Sequence, residues 1–208
     1  MHRRQFAFAG IVSAGSLFVG SRSADATPIV AGSRVYRDDI ASALLAQIRQ
    51  AESVTTAFWA WSSVVRPILP FAHVTALVCR APDRAGAVGE PQIGDVQRVF
   101  STIPAAYPVG GWKHLTGSDW ARYVLIDQRT LIASGHERLT QFFPDYPLLE
   151  SLGVRTLINI PVVICRRTVG AFALLLETPT VDQAALAEVE AIAPLMSGVF
   201  ALGQGTST

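Results

Sequence analysis

Thr156-Leu157-Ile158-Asn159-Ile160-Pro161-Val162-Val163-Ile164 and, after Arg166 and Arg167, Val169-Gly170-Ala171-Phe172-Ala173-Leu174-Leu175-Leu176 form the stretch that decides the fold. Both runs are dense in β-branched and apolar residues, which predicts two strands returning on each other through a turn at the arginines. Just beyond, Thr180 with Gln183 three residues later fits a capping box. It predicts a last helix with Leu186, Val189, Ile192, Met196 and Val199 turned inward. Pro194 inside that pattern is expected to kink the helix or end it early.

Upstream, His73 to Arg80 reads as a strand with Val74, Ala76 and Val78 on one face and Leu77 and Cys79 on the other. Ala81 to Gly94 is rich in Gly and Pro and reads as a hairpin loop. Val96 to Thr102 is expected as its partner strand, with Val96, Arg98 and Phe100 alternating against Gln97, Val99 and Ser101. A long irregular segment from Pro104 to Trp112 follows, and loops of that length are usually functional or disordered. Ser118-Asp119 is able to cap a short helix bearing Trp120, Tyr123 and Val124. Thr130 to Ala133 reads as a brief strand, and His136 to Phe143 and Pro147 to Leu152 as short helical turns, the second ended by Gly153.

Before the sheet, Ile40, Leu44, Ile48, Ala51, Val54, Phe58, Trp61 and Val65 hold one apolar stripe in steps of three and four. Asp38 and Asp39 are placed to open this helix, and Pro67 and Pro70 stop it. Two readings fit the stripe: one long helix whose first half pairs with a second copy, or a kinked pair of helices packed on their own sheet. The order helix, two strands, mixed insert, two strands, helix describes one α/β arrangement, with terminal helices covering a largely antiparallel sheet.

The N-terminus carries Arg3-Arg4 with Phe6 after them, an apolar run from Phe6 to Gly20, and Ala24-Asp25-Ala26 before Thr27-Pro28. Positive end, short apolar middle and small-x-small site make the layout of a cleavable export signal over residues 1–26, twin-arginine-like in its paired arginines. The apolar run is about five residues short of a membrane span, which needs ~20. The alternatives are a buried first helix or a start codon placed too early. Residues 27–37 then read as a linker, 38–202 as the domain and 203–208 as a tail. The mature protein is expected to be periplasmic or secreted and free of the membrane, or cytoplasmic if the N-terminal segment is not a working signal.

The 208 residues are 50% hydrophobic and 16% charged, with a net charge of +1. That suits one cored domain and excludes a disordered chain. With no basic face, nucleic acid is a poor partner. Cys79 and Cys165 make neither a disulfide framework nor, with His73, His114 and His136 scattered, a metal site. There is no Gly-rich phosphate loop opening a helix and no G-x-S-x-G turn.

Ser151-Leu152-Gly153-Val154-Arg155-Thr156-Leu157-Ile158-Asn159-Ile160-Pro161-Val162, continued by Val169-Gly170-Ala171-Phe172-Ala173-Leu174, resembles the signature stretch of GAF domains. The run from Arg98 to Gly111 also resembles small bacterial GAF-type proteins. The resemblance implies an antiparallel sheet of five or six strands, helices on one side, and a ligand cavity on the other under the mixed insert. It further implies sensing of a small molecule, or dimer-based regulation, here through the helix 38–65. Unlike most GAF domains, this chain carries no recognisable output domain, and neither cyclic-nucleotide determinants nor a bilin-attachment cysteine is recognisable; no cofactor is expected. If the insert roofs a cavity, Tyr107, Trp112, Trp120, Phe142, Phe143 and Tyr146 are its expected lining, with Arg155 and Asn159 as polar contacts. The catalytic branch of the family, free methionine sulfoxide reductase, works through cysteines. Cys79 and Cys165 would have to serve, and Arg166 and Arg167 beside Cys165 are the one feature in favour. A protein whose main role is dimerisation is the third reading.

Overall fold

The computed structural model describes residues 31–80, 94–115 and 118–205. The expected export signal and the expected hairpin loop up to residue 93 lie outside the described residues. Six strands form one sheet: β1 (His73–Cys79), β2 (Val96–Ser101), β3 (Gly110–Lys113), β4 (Leu131–Ser134), β5 (Thr156–Ile164) and β6 (Arg167–Leu176). Their order is β3-β2-β1-β6-β5-β4, and every neighbouring pair is antiparallel. β5 has the bounds expected of it. β6 starts two residues early, because the hairpin turn is only Cys165-Arg166, both at positive φ (49° and 62°), the conformation of a two-residue turn. Pro161 is tolerated inside β5 because β4 ends opposite Asn159, so no ladder bond is asked of its nitrogen on that edge.

Alternation splits the sheet into two faces. On one, Val74, Ala76 and Val78 of β1, Ile158, Ile160 and Val162 of β5, and Phe172 and Leu174 of β6 are buried in the main core. Helices α1 (Ala31–Gln50), α2 (Val54–Val65), α6 (Gln183–Ile192) and α7 (Ser197–Gln204) cover it. The other face carries the insert: α3 (Asp119–Ala121), a π-helical turn (Arg122–Ile126), α4 (Gly135–Phe142) and α5 (Tyr146–Ser151). Two smaller apolar clusters pack there, one around Leu139, Leu149 and Leu157, the other around Trp120, Val124 and Leu131.

The structure corrects several expectations. Of the two readings of the apolar stripe over 38–65, the structure has the pair of helices, broken between Gln50 and Val54. Ser53 caps α2 through reciprocal bonds with Thr56: the Thr56 N–H donates to Ser53 Oγ (3.1 Å) and the Ser53 N–H to Thr56 Oγ1 (2.8 Å). Local side-chain caps of this kind compete with helix continuation. Asp38 and Asp39 open nothing, since α1 already runs from Ala31 through residues expected as linker. The last helix is capped by Asp182, whose Oδ1 accepts from the Ala184 and Ala185 N–H groups, rather than by Thr180. Pro194 converts it to a 3₁₀ turn (Ala193–Met196) before α7. That helical run, Gln183 to Gly203, is long and apolar enough by composition to cross a membrane, but here Leu186, Val189, Ile192, Met196 and Phe200 are buried on the sheet. In β2 the simple alternation fails. A register shift against β1 pairs Arg98 with Leu77 and Phe100 with Ala76, leaving Val99 as the extra residue. Phe100 thereby moves into the main core, while Val96 and Arg98 stay on the insert side. The segment expected to be irregular up to Trp112 ends in β3, an edge strand.

Aromatic rings lock the helices down. Trp61 of α2 stacks on Phe172 of β6 at 3.6 Å between centroids and 2° between planes. Phe200 of α7 stands edge-on to both Phe58 and Phe172 at 5.0 Å. Phe200 fits because residue 170 is glycine: a Cβ there would lie 2.1 Å from the Phe200 ring and 2.6 Å from the Leu77 carbonyl oxygen. Neither the packed ring nor the sheet backbone is free to move away, so Gly170→Ala is expected to destabilise the protein by about 3 kcal/mol. Urea unfolding followed by circular dichroism measures it, and a loss of a few tenths of a kcal/mol would contradict the packing described.

Candidate functional site

Between the insert and the second sheet face lies a cavity of about 680 Å³. Its floor is the side chains that alternation turns away from the helices: Thr75 and Leu77 of β1, Leu157 and Asn159 of β5, and Ala173 and Leu175 of β6. Val96 and Arg98 extend it along β2. The roof is the insert, through Tyr107, Leu115, Trp120, Phe142 and Phe143. Lys113, Pro108 and Asp145 are exposed and form the rim.

Local structure sets each roof residue. Ser118 Oγ accepts the Ala121 N–H (3.3 Å) and starts the one-turn helix that carries Trp120 inward. The Trp120 indole N–H donates to Asn159 Oδ1. Both side chains are buried, Asn159 to 2% exposure. Because the indole only donates, the amide must turn its oxygen toward it, and Nδ2 is left with no hydrogen-bond partner among the described residues. At the other end, the Arg98 guanidinium lies over the Tyr107 ring (4.9 Å to the centroid) and donates from Nη1 to the Pro108 carbonyl (3.3 Å). Its Nε is buried and likewise without a partner among the described residues. The Tyr107 hydroxyl donates to Asp145 Oδ2 at 2.9 Å and ties the 104–109 segment to the start of α5. Burial pulls the Arg98 pKa below its ordinary value, against the pull of the neighbouring Tyr107 and Asp145. Burial likewise pushes the Tyr107 phenol up, with Asp145 adding to the shift through its charge and its hydrogen bond.

Of the eight residues expected at the site, Tyr107, Trp120, Phe142, Phe143 and Asn159 line the cavity. Three do not. Trp112 sits on the edge strand β3, packs toward the main core and has the Arg80 guanidinium over its ring at 4.6 Å. Tyr146 turns outward in α5, its hydroxyl donating to Glu150 Oε1 (2.9 Å) and its ring edge-on to His136. Arg155 is exposed and serves the sheet through its backbone, which bonds Leu176 and Gly135. Arg98 was absent from that expectation, although a charged residue alternating with apolar ones on a strand beside the insert was the available signal. Asp145 and Lys113 had no local signal.

The thiols lie elsewhere. Neither Cys79 nor Cys165 lines the cavity, and both are free. Burial at the end of β1 pushes the Cys79 thiol from its ordinary 9.0 up to about 12. A thiol so placed stays protonated and a poor nucleophile at neutral pH. Its burial supports folding below pH 9, and that support fades as the pH rises from 9 toward 12. At pH 8, iodoacetamide is expected to alkylate exposed Cys165 well before Cys79 in the native protein, as peptide mapping by mass spectrometry would show. Equal rates would contradict the burial of Cys79.

Comparison with solved structures places the whole arrangement. The GAF domain of the Coxiella burnetii phosphoenolpyruvate-protein phosphotransferase superposes with a TM-score of 0.60 at 12% identity, over 82% of this chain and 95% of that one. The GAF domain of the Acinetobacter enzyme of the same name gives 0.58 at 12% identity, over 83% and 97%. The fold is that of a GAF domain. The chromophore-binding domain of a bacteriophytochrome from R. palustris is also similar, with a TM-score of 0.54 at 15% identity over 83% of this chain and 62% of that one. No protein-family profile and no curated sequence matches the chain. In this GAF fold the Trp120–Asn159 bond is the polar joint between roof and floor. Asn159→Leu removes the acceptor from a buried indole N–H and is expected to cost about 2 kcal/mol. In a double-mutant cycle with Trp120→Phe the second loss should shrink to a fraction of that, and strict additivity would show that the two side chains do not depend on each other.

Proposed function

We propose that the domain is a small-molecule-binding sensory module whose ligand occupies the cavity between the insert and the sheet. The observation that carries this reading is the cavity itself: about 680 Å³, walled by aliphatic and aromatic side chains, with a few buried polar groups in its walls. Organic ligands are usually held in cavities of this size and character. Tyr107, Trp120, Phe142, Phe143 and Asn159 are its proposed contacts. The R. palustris domain of similar fold binds a chromophore, which supports the use of this architecture for small molecules and says nothing of which one. The cysteine-dependent reductase reading is weaker, because the thiols stand outside the cavity and Cys79 is held protonated. Export behind residues 1–26 and pairing of two copies through α1 and α2 belong to the proposal on sequence grounds.

A ligand that binds only the folded state raises its melting temperature by mass action. In a thermal-shift screen of several hundred metabolites against the full chain, at least one class is expected to raise Tm in a concentration-dependent way. Ala173→Leu, which thickens the cavity floor, should abolish those shifts, while Trp112→Phe, outside the cavity, should keep them. An inert screen, or shifts that survive in Ala173→Leu, would defeat the proposal.

A further inference from the structure

The cavity's polar groups specify more than that a ligand fits. Two hydrogen-bond donors on residues that line it, Asn159 Nδ2 and Arg98 Nε, are buried and unpartnered among the described residues. Buried donors left unmet cost free energy, and a ligand acceptor is one way such a cost is recovered. Both face the same chemical demand, for an oxygen or nitrogen lone pair. Charge points the same way. Among the described residues, Arg98 and Lys113 line the cavity against a single carboxylate, Asp145, which is exposed and already accepts from Tyr107. His114 is paired with Asp95, which is not part of the lining. Among the described residues that leaves one positive charge of the lining uncompensated. Arg98 is the better buried of the two cations, and its desolvation outweighs the neighbours that favour its charge. A planar guanidinium with free N–H groups matches a carboxylate. One surplus charge suits a monoanion rather than a phosphate dianion.

Placement in the sheet sets the length. Arg98 and Asn159 stand on β2 and β5, with β1 and β6 between them. Three strand spacings, with Asn159 two residues along β5 from the position level with Arg98, put their backbones about 16 Å apart, a span that suits an elongated ligand. The floor between them is Leu77, Thr75 and Ala173, apolar but for one hydroxyl. We propose that the cavity takes an elongated monocarboxylate with an apolar body, its acid group paired with Arg98 at the rim and a carbonyl-type acceptor further along it bonded to Asn159 Nδ2. This rests on the reading that the cavity binds a small molecule at all.

Matched probes test it on the unaltered full chain by calorimetry at low salt. 6-Oxo-6-phenylhexanoate carries the acid, the apolar body and the acceptor. Its primary amide lacks the charge, and 6-phenylhexanoate lacks the ketone. The keto acid should bind at least tenfold tighter than the amide and several-fold tighter than 6-phenylhexanoate, with acetate not binding. In Arg98→Gln, with folding checked by circular dichroism, acid and amide should become equal. If the amide binds the unaltered chain as well as the acid, the anion assignment is overturned while the cavity reading stands. If the ketone adds nothing, the role of Asn159 is overturned. If these probes and the metabolite screen are all silent, both the assignment and the cavity reading fall.

Discussion

Phe200 lying on Gly170, with Trp61 stacked on Phe172 beside it, is the contact on which the rest of the molecule depends. It brings α2 and α7 onto one face of the sheet with rings rather than aliphatic chains, and rings demand a defined orientation. The price of that close approach is a position where no side chain at all is tolerated. Once this face is fully occupied by helices, the insert has only the other face to cover.

The insert covers that face incompletely, and for a physical reason. It is built from one- and two-turn helices, an edge strand and turns, elements too short to lay a continuous apolar stripe on the sheet. What they supply is a ring of contacts: the Leu139 and Leu149 cluster on one side, the Trp120 and Val124 cluster on another, and the Tyr107–Asp145 bond across the rim. The space between them is the cavity. Among the described residues, polar groups of the walls are only half satisfied, Asn159 through its oxygen and Arg98 through Nη1. At position 159 an apolar residue would remove the unmet Nδ2 only by stripping the buried Trp120 N–H of its acceptor, so the orphaned donor is tied to the joint between roof and floor.

The register shift in β2 joins the two halves of the design. One extra residue at Val99 lets the same short strand give Phe100 to the helix side and Arg98 to the cavity. Without the bulge, strict alternation would put both on one face, and either the aromatic cluster would lose a ring or a guanidinium would enter the main core.

The sequence by itself determined the strand pair over 156–176, the alternation of β1, the inward face of the last helix and, from the order of its motifs, the GAF-like architecture. These are periodic signals, and each reports on its own segment. It also marked five of the cavity's residues, because aromatics crowded in an irregular insert have few places to go. Tertiary structure alone decided the rest. A wheel does not show that Ser53 and Thr56 cap each other and break the first helix. Nor does it show that Asp182, two residues after Thr180, takes the next cap. Trp112, Tyr146 and Arg155 share the composition of the lining yet point elsewhere, since direction depends on which strand edge or helix face each occupies. Arg98 enters the cavity only through a bulge, a feature of pairing between strands that leaves no period in either one.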